Sequence, residues 1–368
     1  MSRALVVKIG SSTLVDPDGQ LREGVLAARV AELVAARAQG WKPVLVSSGA
    51  IACGFGRMGI TERPSTLPDL QAASAVGQGE LFARYIRAFT AVDAIPAQIL
   101  LTSADLEQRA SYLNARQTLA RLLEWGVVPV INENDTTATD ELTFGDNDVL
   151  AAQVAILLRA GALLLLTDRE GLYGPGADGQ PELIGEVPPD VSPSDMLLAD
   201  LSGSGMGRGG ISSKLAAATM ATAAGVRVVI ASGAMEGVVT AAATGAPVGT
   251  RFAPGPRSES AFKLWLRHAK PAMGRLTVDA GAARALRRSG TSLLPVGVVA
   301  CEGEFAAGDA VEVVVAGGGP VGKGISALSA DEVRAVLGRR SHQVREVLPD
   351  AAEEVIHRDQ FVLAAEAR

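Results

Sequence analysis

Short β-branched and leucine-rich runs alternate with longer Ala/Leu-rich segments of helical period from residue 4 to about residue 250. This is the pattern of a parallel sheet covered by helices. Runs at 5–9, 43–46, 95–99, 127–131, 162–166 and 226–230 predict strands; segments 25–38, 67–88, 111–124, 148–158 and 210–224 predict helices. Gly40, Gly126, Gly161 and Gly225 stand at junctions from helix to strand, where a left-handed C-cap is wanted. The expected fold is α/β, a three-layer αβα sandwich with a mainly parallel sheet. The pattern changes at Arg251-Phe252-Ala253-Pro254-Gly255-Pro256-Arg257, followed by a helical segment at 260–269. Beyond it, runs at 275–278, 292–299, 310–315 and 360–364 read as strands separated by Gly-containing turns, a small β-rich module. The expected division is 1–252 for the first domain, 253–272 for a linker, 273–355 for the second domain and 356–368 for a tail.

Within the first domain one polar island interrupts the apolar pattern. Ile131-Asn132-Glu133-Asn134-Asp135 and Phe144-Gly145-Asp146-Asn147-Asp148 lie between the strand at 127–131 and the apolar helix that opens at Val149. In an open α/β sheet the edge where a strand ends and a helix starts is where ligands bind.

Composition narrows the chemistry. At 368 residues with 48% hydrophobic residues, the chain is long enough for a large core and two domains. Met1-Ser2-Arg3-Ala4-Leu5-Val6-Val7-Lys8 carries no long apolar stretch, and the run 160–166 is too short to cross a bilayer, so the expected location is the cytoplasm. Cys53 and Cys301 have no paired spacing, and His268, His342 and His357 are scattered, which supports neither a disulfide framework nor a zinc site. A net charge of −6 argues against general affinity for nucleic acid or anionic membrane. Only six of the 34 basic residues are lysine, which draws attention to those near glycine-containing turns, Lys8 and Lys214 among them.

Four further motifs bear on function. Val6-Val7-Lys8-Ile9-Gly10-Ser11-Ser12 sets a lysine near the end of the first strand, before a turn whose N–H groups can surround phosphate oxygens. The plainer reading is a surface lysine before a turn. Val44-Leu45-Val46-Ser47-Ser48-Gly49-Ala50-Ile51 offers hydroxyls and amides to a carboxylate, or merely N-capping serines. Gly203-Ser204-Gly205-Met206-Gly207-Arg208-Gly209-Gly210-Ile211-Ser212-Ser213-Lys214 allows close backbone approach to a polyphosphate, with a flexible lid as the alternative. Leu166-Thr167-Asp168-Arg169-Glu170-Gly171-Leu172-Tyr173 ends a buried strand in a hydroxyl and a carboxylate suited to a nucleotide or its Mg²⁺, although Asp often simply begins a turn.

No histidine precedes His268, so the α/β domain lacks a His-based acid/base system. Phosphoryl transfer to a carboxylate needs none, because an acceptor with a pKa of about 4.3 is already an ionised nucleophile at neutral pH. Alignment and cations then carry the catalysis.

Taken in order, V-K-I-G-S-S, V-S-S-G-A-I, N-E-N-D-T, F-G-D-N-D, L-L-T-D-x-x-G-L-Y and G-x-G-R-G-G-I-x-S-K, the chain resembles the glutamate 5-kinase family of the amino acid kinase superfamily. The module from Gly274-Arg275-Leu276-Thr277 through Leu293-Leu294-Pro295-Val296-Gly297 to Ile356-His357-Arg358-Asp359 resembles the PUA domain attached to bacterial members. The resemblance implies ATP-dependent phosphorylation of the γ-carboxylate of L-glutamate to L-glutamyl 5-phosphate, the first step towards proline. It implies that Ser48, Asp135 and Asn147 bind glutamate, and that Thr167, Asp168, Arg208, Gly209, Gly210, Ile211, Ser212, Ser213 and Lys214 bind ATP. Lys8 and Lys214 would face the transferred phosphoryl group, Asp148 would orient them, and Mg²⁺ would ride on ATP oxygens and water without a dedicated metal site. It further implies L-proline as a feedback inhibitor sensed near residues 136–143, a homo-oligomer (dimer or tetramer) and a glutamate-5-semialdehyde dehydrogenase as partner. One departure stands in the glycine-rich loop: Arg208-Gly209-Gly210-Ile211 replaces the family's Thr-Gly-Gly-Met, which leaves the glycines and Lys214 in place but not the side chains at 208 and 211.

Two rivals differ in class. One is a superfamily kinase acting on another acidic substrate; the other is an RNA-binding protein of the PUA type. From Met273 onward there are 11 Lys and Arg against 13 Asp and Glu, with few aromatic residues, a poor surface for RNA.

Overall fold

In the computed structural model the described residues are 3–16, 20–60, 66–107, 109–137, 146–176, 178–189, 191, 193–196, 208–255, 261–268, 270–349 and 351–364. The chain divides into two compact units, Met1–Ala261 and Phe262–Arg368.

The strands of the first unit are β1 (Ala4–Ile9), β2 (Lys42–Val46), β3 (Pro96–Leu101), β4 (Val128–Glu133), β5 (Ala162–Thr167), β6 (Tyr173–Pro175), β7 (Pro181–Leu183), β8 (Glu186–Val187), β9 (Arg227–Ser232) and β10 (Thr250–Phe252). Its helices are α1 (Ser11–Leu14), α2 (Glu23–Ala35), α3 (Ala50–Met58), α4 (Leu67–Thr90), α5 (Ser103–Glu107), α6 (Arg109–Glu124), α7 (Asp146–Leu157), α8 (Arg208–Ala223) and α9 (Val238–Thr244). An eight-stranded sheet runs in the order β3-β4-β2-β1-β5-β9-β10-β8, and β6 pairs with β7 in a separate hairpin. Pairing is parallel from β3 to β9; β10 runs antiparallel to β9 and pairs in parallel with β8. Strands β1 and β5 are buried from end to end, so apart from Lys8 and Thr167 both read as apolar runs instead of alternating ones.

Helices cover both faces. Leu5, Val7 and Ile9 pack with Leu33 of α2, Phe89 of α4 and Val239 of α9, while α7 packs on β1, β5 and α8. Alternation along a strand therefore turns Lys8 away from that core and toward α7. The strand order reverses at β1: the chain builds outward through β2 to β3 and β4, then crosses to β5 on the other side of β1. The carboxyl ends of β1, β2, β4 and β5 flank this switch point, where a crevice forms in open α/β sheets.

Two local findings refine the sequence reading. Gly40, Gly126 and Gly225 do take left-handed φ values of 79°, 74° and 78°, but Gly161 does not. At that junction Arg159 takes the left-handed position instead, at φ 50°, and the Ala160 N–H closes back on Ala155 O at 2.8 Å. With the helix already capped, Gly161 is free to extend and donates to Ala4 O at 2.9 Å. The second finding is a very close crossing of α3 on α4. A Cβ at Gly77 would stand 1.8 Å from Ala50 O, and one at Gly54 would stand 1.9 Å from Ala73 O. Gly77→Ala is accordingly expected to lower stability by about 2 kcal/mol or more, measured by chemical denaturation. An unchanged unfolding midpoint would mean that the two helices can part without loss.

The second unit contains α10 (Ala261–His268), β11 (Ala272–Val278), α11 (Ala280–Ser289), β12 (Val298–Gly303), β13 (Ala310–Val315), β14 (Pro320–Ile325), α12 (Ala330–Val336), α13 (Ser341–Val347) and β15 (Phe361–Leu363). Its sheet runs β12-β11-β13-β14-β15 around Leu276, Val313, Val333 and Ile356. The strand expected at 292–299 is replaced by a single bridge from Leu293 to Ile356, a 3-10 turn at Pro295–Gly297 and then β12. Pro295 has no N–H to give a ladder. The segments read as linker and tail each supply an element here: Arg267 of α10 donates to Leu363 O at 3.1 Å, and β15 pairs with β14. Among the described residues no helix is long and apolar enough to cross a membrane.

Candidate active site

Three charged side chains meet at the carboxyl edge of the sheet. Lys8, near the end of β1, lies 2.6 Å from Oδ1 of Asp148 in the first turn of α7, and Lys214 of α8 lies 3.0 Å from Oδ2 of the same carboxylate. Lys214 also donates to Gly210 O at 3.3 Å, one turn back along its helix. Asp148 is 0% exposed and Lys8 4%. Burial alone would raise the Asp148 carboxyl, but the ammonium groups of Lys8 and Lys214 outweigh it and hold it below its ordinary value. Lys8 is depressed by its own burial and by the charge of Lys214, with Asp148 acting in the opposite sense. One carboxylate between two ammonium groups leaves a net positive charge in a nearly dry pocket, a demand for an incoming anion.

On the β2 and β4 side of this cluster the polar island folds into a hydrogen-bonded wall. Asn147 donates through Nδ2 to Ser48 Oγ at 3.1 Å, while its Oδ1 accepts from the Glu133 N–H at 3.3 Å. Asn132 donates to Gln78 Oε1 at 2.6 Å, and Ser74 donates to Oδ2 of Asp135. Burial raises the Asp135 carboxyl, opposed by that Ser74 hydrogen bond. Behind the wall, Ser47 Oγ lies 2.9 Å from the hydroxyl of Tyr85, whose phenol burial pushes well up. Serine, amide and carboxylate groups thus converge from β2, β4, α4 and α7, a donor and acceptor set for a small zwitterion.

On the β5 and β9 side, Thr167 donates to Asp168 Oδ1 at 3.0 Å at the end of β5, with Thr167 buried and Asp168 exposed. The Gly233 N–H donates to Thr167 O at 2.7 Å and the Gly10 N–H to Leu166 O at 3.3 Å, which ties the turns after β9 and β1 to the end of β5. Gly210, Ile211, Ser212, Ser213 and Lys214 form the first turns of α8, whose helix begins at Arg208 and Gly209. Residues 201–207 of the glycine-rich loop, Phe144 and Gly145 of the island, and 138–143 of the segment between its two halves lie outside the described residues.

The structure therefore brings Lys8, Asp148 and Lys214 into direct contact, and Ser48 with Asn147 into another. Asp135 stands apart from both groups, bonded to α4. Two participants have no precursor in the sequence reading: Ser74 and Gln78 are one turn apart on α4, in a segment that reads as ordinary amphipathic helix. Among the described residues no group of three or more His, Cys, Asp or Glu side chains gathers around a metal position.

A parallel sheet with a lysine-bracketed carboxylate at its switch point matches a known class. Residues 3–232 fit the family model described as "Amino acid kinase family", so the chain belongs to the amino acid kinase family. Residues 274–348 fit the model of the PUA domain. Among its relatives are proteins called "Glutamate 5-kinase". That of Meiothermus ruber is 44% identical over 368 residues, spanning 99% of this chain and 96% of that one. Those of Myxococcus xanthus (45% identical, 98% of this chain and 96% of that one) and Cutibacterium acnes (47% identical, 98% and 91%) are similar. Among solved structures, UMP kinase from Bacillus anthracis aligns with a TM-score of 0.46 at 14% identity, covering 69% of this chain and 97% of its own.

Proposed function

We propose that the chain transfers the γ-phosphoryl group of ATP to the γ-carboxylate of L-glutamate, giving ADP and L-glutamyl 5-phosphate, the first step of proline biosynthesis, in the cytoplasm. The observation that carries this reading is Lys8 and Lys214 on opposite oxygens of the buried Asp148. The full-length relatives called glutamate 5-kinase support it.

Asp148 lets two ammonium groups stand close together that would otherwise repel. Lys8 and Lys214 then face the phosphoryl oxygens from the sheet and from α8, where their charge stabilises the transition state more than the ground state. The γ-carboxylate oxygen bonds to the γ-phosphorus as the bond to the β,γ-bridging oxygen breaks, and no proton moves. Asp135 pairs with the α-ammonium, and Ser48, Asn147 and nearby N–H groups hold the carboxylates in line for attack. Thr167, Asp168 and the start of α8 hold the nucleotide. The exposed Asp168 carboxylate is chemically suited to a hydrated Mg²⁺ carried on ATP, which when bound neutralises charge on the phosphate oxygens.

Three finer points belong to the same reading. L-Proline, with the same α-carboxylate and a ring ammonium, suits the groups that hold glutamate and would inhibit there. Leu100 in the edge strand β3 and Ile95 just before it, both exposed, support self-association. An acyl phosphate hydrolyses readily, which supports hand-over to a glutamate-5-semialdehyde dehydrogenase.

An ADP-release assay across glutamate, N-acetylglutamate, aspartate and UMP should show turnover with glutamate alone; preference for another acceptor would overturn the substrate assignment. Asp135→Ala should raise the KM for glutamate at least about tenfold with a smaller change in kcat. A wild-type KM removes Asp135 from the acceptor site.

A further inference from the structure

Serine inside a helix ordinarily bonds back to a carbonyl one turn earlier or faces water. Ser74 does neither. It is 4% exposed in the middle of α4, and its hydroxyl donates across the crevice to Oδ2 of Asp135, 61 residues away in sequence. Asp135 follows β4 in a turn that the Thr137 N–H closes on Asn134 O at 3.0 Å, and Ser74 anchors its carboxylate from α4. Among the described residues Oδ2 takes the Ser74 hydrogen bond and Oδ1 takes none. Burial raises the Asp135 carboxyl, and the hydrogen bond from Ser74 acts in the opposite sense. The helix that presents Ser74 is itself held firmly, because α4 crosses α3 at backbone contact through Gly54 and Gly77.

We propose that Ser74 is a positioning residue for the amine end of the substrate: it fixes one oxygen of Asp135 and leaves the other for the α-ammonium. This rests on the reading of Asp135 as the ammonium partner. Burial disfavours the charged form that pairs best with an ammonium ion, and a hydroxyl donor favours it. Ser74 thereby contributes to selection of an α-amino acid over the same dicarboxylic acid without the amine.

The test uses the full-length protein with Ser74→Ala, Ser74→Thr, Ser74→Val and Asp135→Asn. For each, kcat and KM are measured from acid to neutral pH with glutamate and with glutarate. For Ser74→Ala the expected result is a KM for glutamate raised about tenfold, with kcat changed by less than about threefold. Its acid limb of kcat/KM should shift to higher pH, because losing a donor to the charged form raises the carboxyl further. The preference for glutamate over glutarate should shrink by the same factor as KM rises. Thr and Val match in bulk and differ in the hydroxyl, so Ser74→Thr should stay near wild type while Ser74→Val follows Ser74→Ala. If Thr and Val behave alike, or if Ser74→Ala leaves KM and the acid limb unmoved while Asp135→Asn raises KM, Ser74 is structural and the proposal fails. If Asp135→Asn itself leaves KM unchanged, the fault lies in the underlying assignment of Asp135.

Discussion

Lys214→Ala is expected to lower kcat by about a thousandfold or more at saturating substrates while leaving the protein folded. A single preorganised group aimed at developing charge is commonly worth about 10²- to 10³-fold, and cations facing a transferring phosphoryl group are worth still more. The fold should survive because the change removes the surplus cation and keeps the pair: Lys8 remains 2.6 Å from Asp148, and the like-charge repulsion between Lys8 and Lys214 disappears. An ADP-release assay beside a thermal melt checks both halves. A kcat within about tenfold of wild type would remove Lys214 from the chemistry.

Asp148→Asn is expected to do the reverse in kind, with loss of both activity and stability. It strips the shared carboxylate from two ammonium groups, one of them almost fully buried, and replaces it with a neutral amide. Removing one partner from a buried ion pair commonly costs about 3–5 kcal/mol, because the charge left behind is neither hydrated nor paired. The pH dependence has a definite sign. The carboxyl is held below its ordinary value in the folded state, so its contribution is fully present above the unfolded value and is lost as pH falls through the depressed one. The stability gap between wild type and Asp148→Asn should therefore be wide at neutral pH and close only in strong acid. A gap that is absent at neutral pH, measured by denaturant titration, would show that the two lysines do not depend on Asp148.

Much of this was legible in the sequence because the site draws on strand ends. Lys8, Ser48, Thr167 and Asp168 each terminate an apolar run or follow one, and alternating runs in a parallel sheet bring their carboxyl ends to one edge. The order of motifs then marked the family. What spacing along the chain does not reveal is which side chains touch across it. Asp148 stands beside two other acidic or amide residues in Asp146-Asn147-Asp148, and only the helical turn toward β1 selects it for Lys8. Ser74 and Gln78 were invisible for a different reason: in Gln71-Ala72-Ala73-Ser74-Ala75-Val76-Gly77-Gln78 nothing distinguishes a hydroxyl bonded to a distant carboxylate from one pointed at water. In the second unit, Pro320–Ile325 carries two glycines that weaken its strand signal, and the Ser329-to-Glu332 capping box that opens α12 is a helix signal passed over in a segment read only for strands.

The glycine-lined crossing of α3 and α4 separates two properties of the proposed acceptor pocket. Ser48 leads into α3 and Ser74 sits on α4, and these helices touch through main chain, so the distance between the two walls is dictated by backbone. Side chains at 74 and 78 decide only what those walls say to a ligand. Redesign for a different acid can therefore change the pocket's chemistry there without altering its width, whereas any change at Gly54 or Gly77 alters the width first.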